Sequence, residues 1–283
     1  MMAELLKGSP AAAAISEDLL LRCENLKNKG IKPCLSILRV GEKADDIAYE
    51  NGAVKRCEKI GIKVVKKVLP ADSSKEALLK QIREINEDDS IHGCLMFRPL
   101  ADRQAETEAC ALLDPNKDVD SMTMTSMAGV FACSDHGYPP CTAEAVIELL
   151  DYYQIPLEGK RVTVIGRSMV IGKPVSMLLQ KRNATVTMCH TRTVDMPAIC
   201  RNAEIIVSAA GHAGIVDETF VSPGQIIVDV GINVDPDGNL CGDVRFDEVS
   251  KIVGAITPVP GGVGSVTTAV LCKHVIMSAE KKL

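Results

Sequence analysis

Tryptophan is absent from this chain of 283 residues, and tyrosine and phenylalanine contribute only four residues each. A core so poor in rings has to be filled by Ile, Val, Leu, Met and Ala. No stretch approaches eighteen consecutive apolar residues, so no membrane-spanning helix is expected. Long basic runs are missing and the formal net charge is −5, which argues against nucleic acid as a partner. The opening Met-Met-Ala-Glu-Leu-Leu-Lys-Gly lacks a basic segment followed by an apolar stretch, so a secretory leader is not expected and the chain reads as cytoplasmic. There are eleven cysteines, yet none forms a Cys-x-x-Cys pair, and Cys34, Cys57, Cys94 and Cys189 sit inside apolar runs. They read as small, reduced core residues, with no metal site expected.

What is present is the composition of an ordinary globular protein, 46% hydrophobic and 24% charged. The length accommodates one large or two medium domains. Strand and helix patterns alternate along most of it. Helices are expected over Ala11 to Lys29, Ala44 to Ile60, Lys75 to Asn86, Arg103 to Leu113, Thr142 to Tyr153 and Val266 to Lys281. Strands are expected over Cys34 to Val40, Ile62 to Leu69, Ile91 to Phe97, Ala184 to Cys189, Glu204 to Ser208, Gln225 to Val230 and Ile252 to Ile256. This order implies an α/β fold with parallel sheets and helices on their faces, in two α/β domains. Residues 1–150 are assigned to the first domain and 151–265 to the second, with the closing helix, 266–283, packing back on the first. Asp114 to Pro140 breaks the pattern and is too long for a plain connector, which marks it as functional.

Val162 to Pro174, Val-Thr-Val-Ile-Gly-Arg-Ser-Met-Val-Ile-Gly-Lys-Pro, reads as a buried strand entering a glycine turn and then a helix. Gly166 permits the sharp turn, and free N–H groups at the helix start would attract a pyrophosphate. The Gly-x-x-x-x-x-Gly spacing departs from the usual dinucleotide fingerprint, so a plain strand-to-helix turn remains an alternative on spacing alone. The next strand ends in His190-Thr191-Arg192, where a Rossmann unit reaches the adenosine ribose. A carboxylate there would suit a free 2′-hydroxyl. Arg, His and a hydroxyl suit a 2′-phosphate, and Arg167 adds a second guanidinium, so NADP is favoured over NAD.

Taken together, Gly-Arg-Ser-Met-Val-Ile-Gly-Lys-Pro (166–174), Val-Asp-Val-Gly-Ile-Asn (228–233), Gly-Asp-Val (242–244), Thr-Pro-Val-Pro-Gly-Gly-Val-Gly (257–264) and Asp-Pro-Asn-Lys-Asp-Val-Asp (114–120) resemble the tetrahydrofolate dehydrogenase/cyclohydrolase family, the FolD proteins, over essentially the whole chain. The resemblance implies a folate cleft between two α/β domains and a Rossmann-type NADP-binding half. It implies two reactions of one-carbon metabolism: oxidation of 5,10-methylene-tetrahydrofolate to the methenyl form, and hydrolysis of that product to 10-formyl-tetrahydrofolate. It also implies a homodimer through the cofactor domain. Carried over by position, Gly166, Arg167, Ser168, His190, Thr191, Gly211 and Ile232 would meet the cofactor. Pro260, Gly261, Gly262, Val263 and Gly264 would line the folate site, with Asp120 gripping the pterin and Tyr49 flanking the substrate.

The departures gather in the folate half. The family places a Lys four residues after the Tyr, on one helix face; here that residue is Ala53, and Lys55 lies well round the helix from it. Where the family reads Val-Gln-Leu-Pro-Leu, this chain reads Met96-Phe97-Arg98-Pro99-Leu100, so the Gln that orients the Lys is Phe97 and Arg98 brings a cation in its place. Asp46 replaces a Ser, Ser121 a Gly, and Ala143 and Ser265 each a Pro. Hydride transfer chiefly requires two rings held face to face, whereas hydrolysis requires a placed proton carrier. The expectation is an NADP-dependent dehydrogenase with weak or absent cyclohydrolase activity. The full bifunctional role and a non-catalytic folate or nucleotide binder remain as alternatives, as does a Rossmann oxidoreductase acting on another small substrate.

Overall fold

A computed structural model describes residues 2–283. In chain order the elements begin with β1 (Glu4–Leu5), α1 (Gly8–Asn28), β2 (Cys34–Val40), α2 (Ala44–Ile60), β3 (Lys63–Leu69) and α3 (Lys75–Glu87). They continue with β4 (Gly93–Met96), α4 (Arg103–Leu112), α5 (Met124–Phe131), α6 (Cys141–Tyr152), β5 (Arg161–Ile165), α7 (Gly172–Lys181) and β6 (Thr185–Cys189). After these come α8 (Met196–Arg201), β7 (Ile205–Ser208), β8 (Ile226–Asp229), β9 (Asn233–Val234), β10 (Leu240–Cys241), α9 (Phe246–Val249), β11 (Ala255–Ile256) and α10 (Gly264–Glu280).

The chain forms two compact units. One comprises Ala14–Cys141 and Thr268–Leu283; the other comprises Thr142–Thr267 with residues 2–13. This differs from the division near Leu150 expected from sequence, and the reason is strand pairing. β1 adds to the edge of the second sheet, Glu4 opposite Ala255 and Leu5 opposite Ile256, so the N-terminus belongs to that unit. The C-terminal residues belong to the first, where Arg22 grips Glu280 through Nε–Oε1 at 2.9 Å and Nη2–Oε2 at 2.7 Å.

The first unit is built on a parallel three-stranded sheet of order β3-β2-β4. Its central strand, Cys-Leu-Ser-Ile-Leu-Arg-Val, is buried along almost its whole length, as a strand covered on both faces must be. Helix α3 turns Leu78, Ile82 and Ile85 inward at helical spacing, and Ser74 caps it by accepting from the Ala77 N–H at 3.3 Å. These residues join Leu38, Ile91, Met96 and Met122 in one aliphatic core.

The second unit carries a parallel sheet of order β1-β11-β8-β7-β5-β6, with the antiparallel pair β9-β10 beside it. From β5 the chain passes to β6 on one side and then to β7 on the other. The winding therefore reverses between β5 and β7, and at such a switch point the strand ends leave a crevice.

Two expected elements need correction. The strand expected over Ile252 to Ile256 is only Ala255–Ile256, because Ile252 closes a helical turn onto Val249. The irregular segment Asp114 to Pro140 contains α5, started by Thr123, whose hydroxyl accepts from Ser126 N–H at 3.1 Å.

Candidate active site

Every nucleotide-side residue expected from sequence follows the carboxyl end of a strand in the large sheet. Gly166 follows β5, His190 and Thr191 follow β6, Gly211 follows β7, and Ile232 follows β8. The Gly166 N–H donates to the Cys189 carbonyl at 2.9 Å, tying the turn to the end of β6. A side chain at Gly166 would put its Cβ 2.3 Å from the Ala209 oxygen, and one at Gly172 would fall 2.2 Å from the Gly166 oxygen. Gly166 also sits at φ 124°, so this turn at the switch point admits only glycine.

One expectation changes here. The first N–H groups of α7 are not free: Ser168 Oγ accepts from Ile171 N at 3.0 Å and Gly172 N at 3.4 Å, and Ser168 O accepts from Lys173 N at 3.0 Å. Ser168 thus shapes the turn, and the exposed Arg167 side chain supplies its cation. After β6, His190 Nδ1 accepts from the Arg192 N–H at 3.1 Å, which leaves the ring proton of neutral imidazole on Nε2. Thr191 and Arg192 are exposed beside it, while Thr193 holds the loop by accepting from His190 N at 2.9 Å.

Two buried carboxylates organise the loops that follow β7 and β8. Asp243 Oδ2 accepts from Ala210 N at 2.7 Å, Gly211 N at 3.2 Å and Ser208 Oγ at 3.1 Å; its Oδ1 accepts from His212 N at 2.9 Å and Asn233 Nδ2 at 3.0 Å. Asp229 accepts from Gly231 N at 2.9 Å, Asp243 N at 3.0 Å and Val244 N at 2.9 Å. Burial pushes the Asp229 carboxyl up to about 6, against those N–H groups, which pull it down. This explains why glycines precede and follow the two acids: a Cβ on Gly231 would fall 2.2 Å from Asp243 Oδ1, and one on Gly242 1.9 Å from Asp229 Oδ2. Gly211 itself, at φ 65°, has no atom within 4 Å of where its Cβ would stand, so its backbone faces open space that a ligand can approach.

Beyond these loops lies a cavity of about 200 Å³, lined by residues 229–232, Leu240 and residues 258–265. It brings Ile232, assigned to the cofactor, against Pro260, Gly261, Gly262, Val263 and Gly264, assigned to the folate. Ile232 is 70% exposed and Leu240 52%, an aliphatic shelf left open beside the cavity. The Pro-Gly loop is held from beneath by Gly8, whose N–H donates to Gly261 O at 2.8 Å and whose Cβ would lie 2.0 Å from Gly262 O. Sequence reasoning missed Leu240, Gly8 and the two acids' bracing role, although Asp229 and Asp243 stand in the quoted motifs.

In the other unit, α2 turns Glu50, Ala53, Cys57 and Ile60 inward. Glu50 anchors it, taking Arg39 Nε at 3.0 Å and Lys66 Nζ at 2.8 Å. Tyr49 meets Phe97 edge to face, ring centroids 5.9 Å apart at 83°. Burial raises the Tyr49 hydroxyl well above its ordinary range, and Cys141 and Asp120 raise it further. Asp120 Oδ1 accepts from Cys141 N at 2.8 Å. Burial raises its carboxyl above the usual value, opposed by that N–H and by Arg98. Ala53 is 0% exposed, whereas Lys55 lies on the solvent face.

The rest of the Asp114 to Asp120 motif is structural. Lys117 Nζ donates to Ile85 O at 2.7 Å and to Asn86 O and Asp88 O at 2.8 Å, tying down the end of α3. Asp118 accepts from Met122 N at 2.8 Å and Thr123 N at 2.7 Å, which turns the chain after Asp120. Ser121, where the family has Gly, sits in the left-handed region at φ 55°, buried and with its hydroxyl unpartnered.

Residues 6–120 match the catalytic domain of the tetrahydrofolate dehydrogenase/cyclohydrolase family, and residues 140–283 match that family's NAD(P)-binding domain. The chain belongs to the tetrahydrofolate dehydrogenase/cyclohydrolase family. It is 53% identical to the bifunctional protein FolD of Carboxydothermus hydrogenoformans over 281 residues, covering 99% of this chain and 98% of the relative. Among solved structures it resembles the bifunctional FolD of Campylobacter jejuni, with TM-score 0.96 and 38% identity over 99% of this chain and all of that one. It also resembles the Trypanosoma brucei enzyme, solved with NADP and an inhibitor, with TM-score 0.93 and 33% identity over 100% of this chain and 99% of that one. Family membership makes the chain an α/β enzyme whose second unit is the Rossmann-type half, in keeping with the sheet order. Among the described residues no helix is long and apolar enough to cross a membrane.

Proposed function

We propose that this family member is an NADP-dependent 5,10-methylene-tetrahydrofolate dehydrogenase in which the cyclohydrolase step is weak or absent. The observation that carries the reading is α2: it packs Tyr49 edge to face on Phe97, while the position four residues on is a fully buried Ala53 with no amine.

The nucleotide side fits NADP. The glycine-only turn at Gly166 and the open backbone at Gly211 give room for a phosphate-bearing ligand, and Arg167, Thr191 and Arg192 are exposed where a 2′-phosphate would be met. When bound, NADP would supply the hydride acceptor. The chain's own work is placement: Ile232, Leu240 and the Pro260–Gly264 loop line one cavity, where a flat ring can lie against apolar side chains and glycine backbone. Asp120, as a carboxylate, can accept two N–H donors of a pterin, and Tyr49 flanks the ring. None of these roles moves a proton to or from water. Hydrolysis of the methenyl carbon does require that, and general acid–base assistance is worth roughly 10²–10⁴-fold. Phe97 occupies the orienting amide's position and packs on Tyr49.

The second reading, full bifunctionality, is favoured by the names of the relatives and by Arg98, a cation that acts on Asp120. A guanidinium shuttles protons poorly, which weighs against it. Two assays separate the readings: methylene-tetrahydrofolate with NADP, and methenyl-tetrahydrofolate alone. Dehydrogenation with hydrolysis near the uncatalysed rate is expected. Rapid hydrolysis of methenyl-tetrahydrofolate that is lost in Arg98→Ala would refute the first reading and establish the second. The reading also includes a homodimer through the nucleotide-binding half, which sedimentation velocity tests.

A further inference from the structure

We propose that His274, on α10, is a positioning residue for Asp120; this rests on the reading above, in which Asp120 binds the pterin. His274 is 1% exposed. Its Nδ1 lies 2.8 Å from the carbonyl oxygen of Val119, the residue just before Asp120. A carbonyl can only accept, so Nδ1 carries the proton and donates. Cys141 Sγ donates to the same oxygen at 3.3 Å and lies 3.7 Å from Nδ1, so both lone pairs of Val119 O are engaged. The Cys141 N–H in turn donates to Asp120 Oδ1 at 2.8 Å. The imidazole therefore fixes the peptide before Asp120, and the thiol beside it belongs to the residue that holds the Asp120 carboxylate.

The imidazole plane is itself set by its neighbours. Tyr138 stacks on it with centroids 4.9 Å apart at 29°, and Lys281 Nζ stands 4.6 Å from the centre of the Tyr138 ring. Val119 has no freedom to compensate for a lost clamp in the direction of the sheet. A Cβ on Gly93 would fall 2.7 Å from Val119 Cγ1, and the Cys94 N–H donates to Lys117 O at 2.7 Å. With Val119 pinned on that side, removing Nδ1–H leaves its carbonyl free to rotate toward the thiol alone, and the Asp120 carboxylate turns with it. Nothing in this arrangement contacts a reacting atom, so the expected effect is on substrate affinity rather than on the chemical step.

The test is steady-state kinetics of His274→Leu and His274→Asn, with Asp120→Asn beside them. Asn places its Nδ2–H where Nδ1–H stands, but cannot stack on Tyr138. In His274→Leu the KM for methylene-tetrahydrofolate should rise about tenfold, as the loss of one hydrogen bond implies, with kcat and the Kd for NADP within twofold. In His274→Asn the melting temperature should fall as in His274→Leu, while KM stays near wild type. Should His274→Leu not fold, His274→Gln replaces it, since its amide falls nearer the Nε2 position and leaves Val119 O unmatched. An unchanged folate KM in His274→Leu, with a raised one in Asp120→Asn, would overturn the clamp alone. An unchanged folate KM in Asp120→Asn would overturn the reading beneath it.

Discussion

Asp243→Asn is the most informative single change in the nucleotide half, because the carboxylate it alters accepts from five donors and the replacement keeps its shape. The best orientation of the new amide leaves its oxygen at the Oδ2 position, where Ser208 Oγ, Ala210 N and Gly211 N remain served. Its NH2 then faces the two donors at Oδ1, His212 N and Asn233 Nδ2. Asn233 can turn its amide and offer oxygen; the His212 N–H, being backbone, cannot. One orphaned donor costs about 1–3 kcal/mol, and the three retained bonds lose the reinforcement of a charged acceptor. A local cost of about 2–3 kcal/mol corresponds to amide exchange roughly 30- to 150-fold faster at His212, with smaller increases at Ala210 and Gly211. Hydrogen exchange read residue by residue is the assay, since it reports this loop without requiring two units to unfold together. NADP affinity should fall with it, as Gly211 loses its fixed place. Exchange at His212 within threefold of wild type would refute the bracing role given to Asp243.

Ser121→Gly should stabilise the protein by about 1 kcal/mol in urea unfolding, because it removes both a left-handed serine and an unpartnered buried hydroxyl. Asp229, raised to about 6 from an ordinary 3.8, holds its proton in the folded state at pH values where the unfolded chain has lost it. Its contribution to stability is therefore complete below pH 3.8 and declines as pH rises to about 6, by about 3 kcal/mol in all. The pH–stability curve of Asp229→Asn, subtracted from that of wild type, should show this fall, and a flat difference would contradict it. Gly8→Ala should displace the Pro260–Gly264 loop, at a cost of about 1–3 kcal/mol, and raise the KM for folate without altering the Kd for NADP. An unchanged KM in that variant would show that the loop does not depend on Gly8.

The elements most legible in the sequence are those whose ends are punctuated locally. The bounds of β2 and α2 agree with the sequence reading residue for residue, because a largely apolar run and an inward-facing stripe are closed by Gly41 and Gly61, both in the left-handed region. Helix α5 was not legible, because its Met, Thr, Ser, Ala and Gly lack a clear polar face and its start depends on one hydroxyl of Thr123. β1 escaped notice for another reason: two residues carry no period, and what makes them a strand is β11, about 250 positions later. The site divides in the same way. The positions of Gly166, His190, Thr191, Gly211, Ile232 and the Pro-Gly loop were legible, because each follows the carboxyl end of a strand. The bracing work of the Ser168 hydroxyl was not legible, since its acceptance from Ile171 N and Gly172 N is made only after folding.

By itself, then, the sequence determined the alternation of strand and helix, the family, and that residue 53 is an alanine without an amine, all of which depend on residue identity and short-range spacing. Tertiary structure alone decided that residues 2–13 join the large sheet, that Ala53 is fully buried while Lys55 faces solvent, and that Ile232 shares a cavity with Pro260. It also decided that Asp229, Asp243 and His274 are braces, because a buried polar group acquires its role from the partners that satisfy it, and only folding brings those partners within reach.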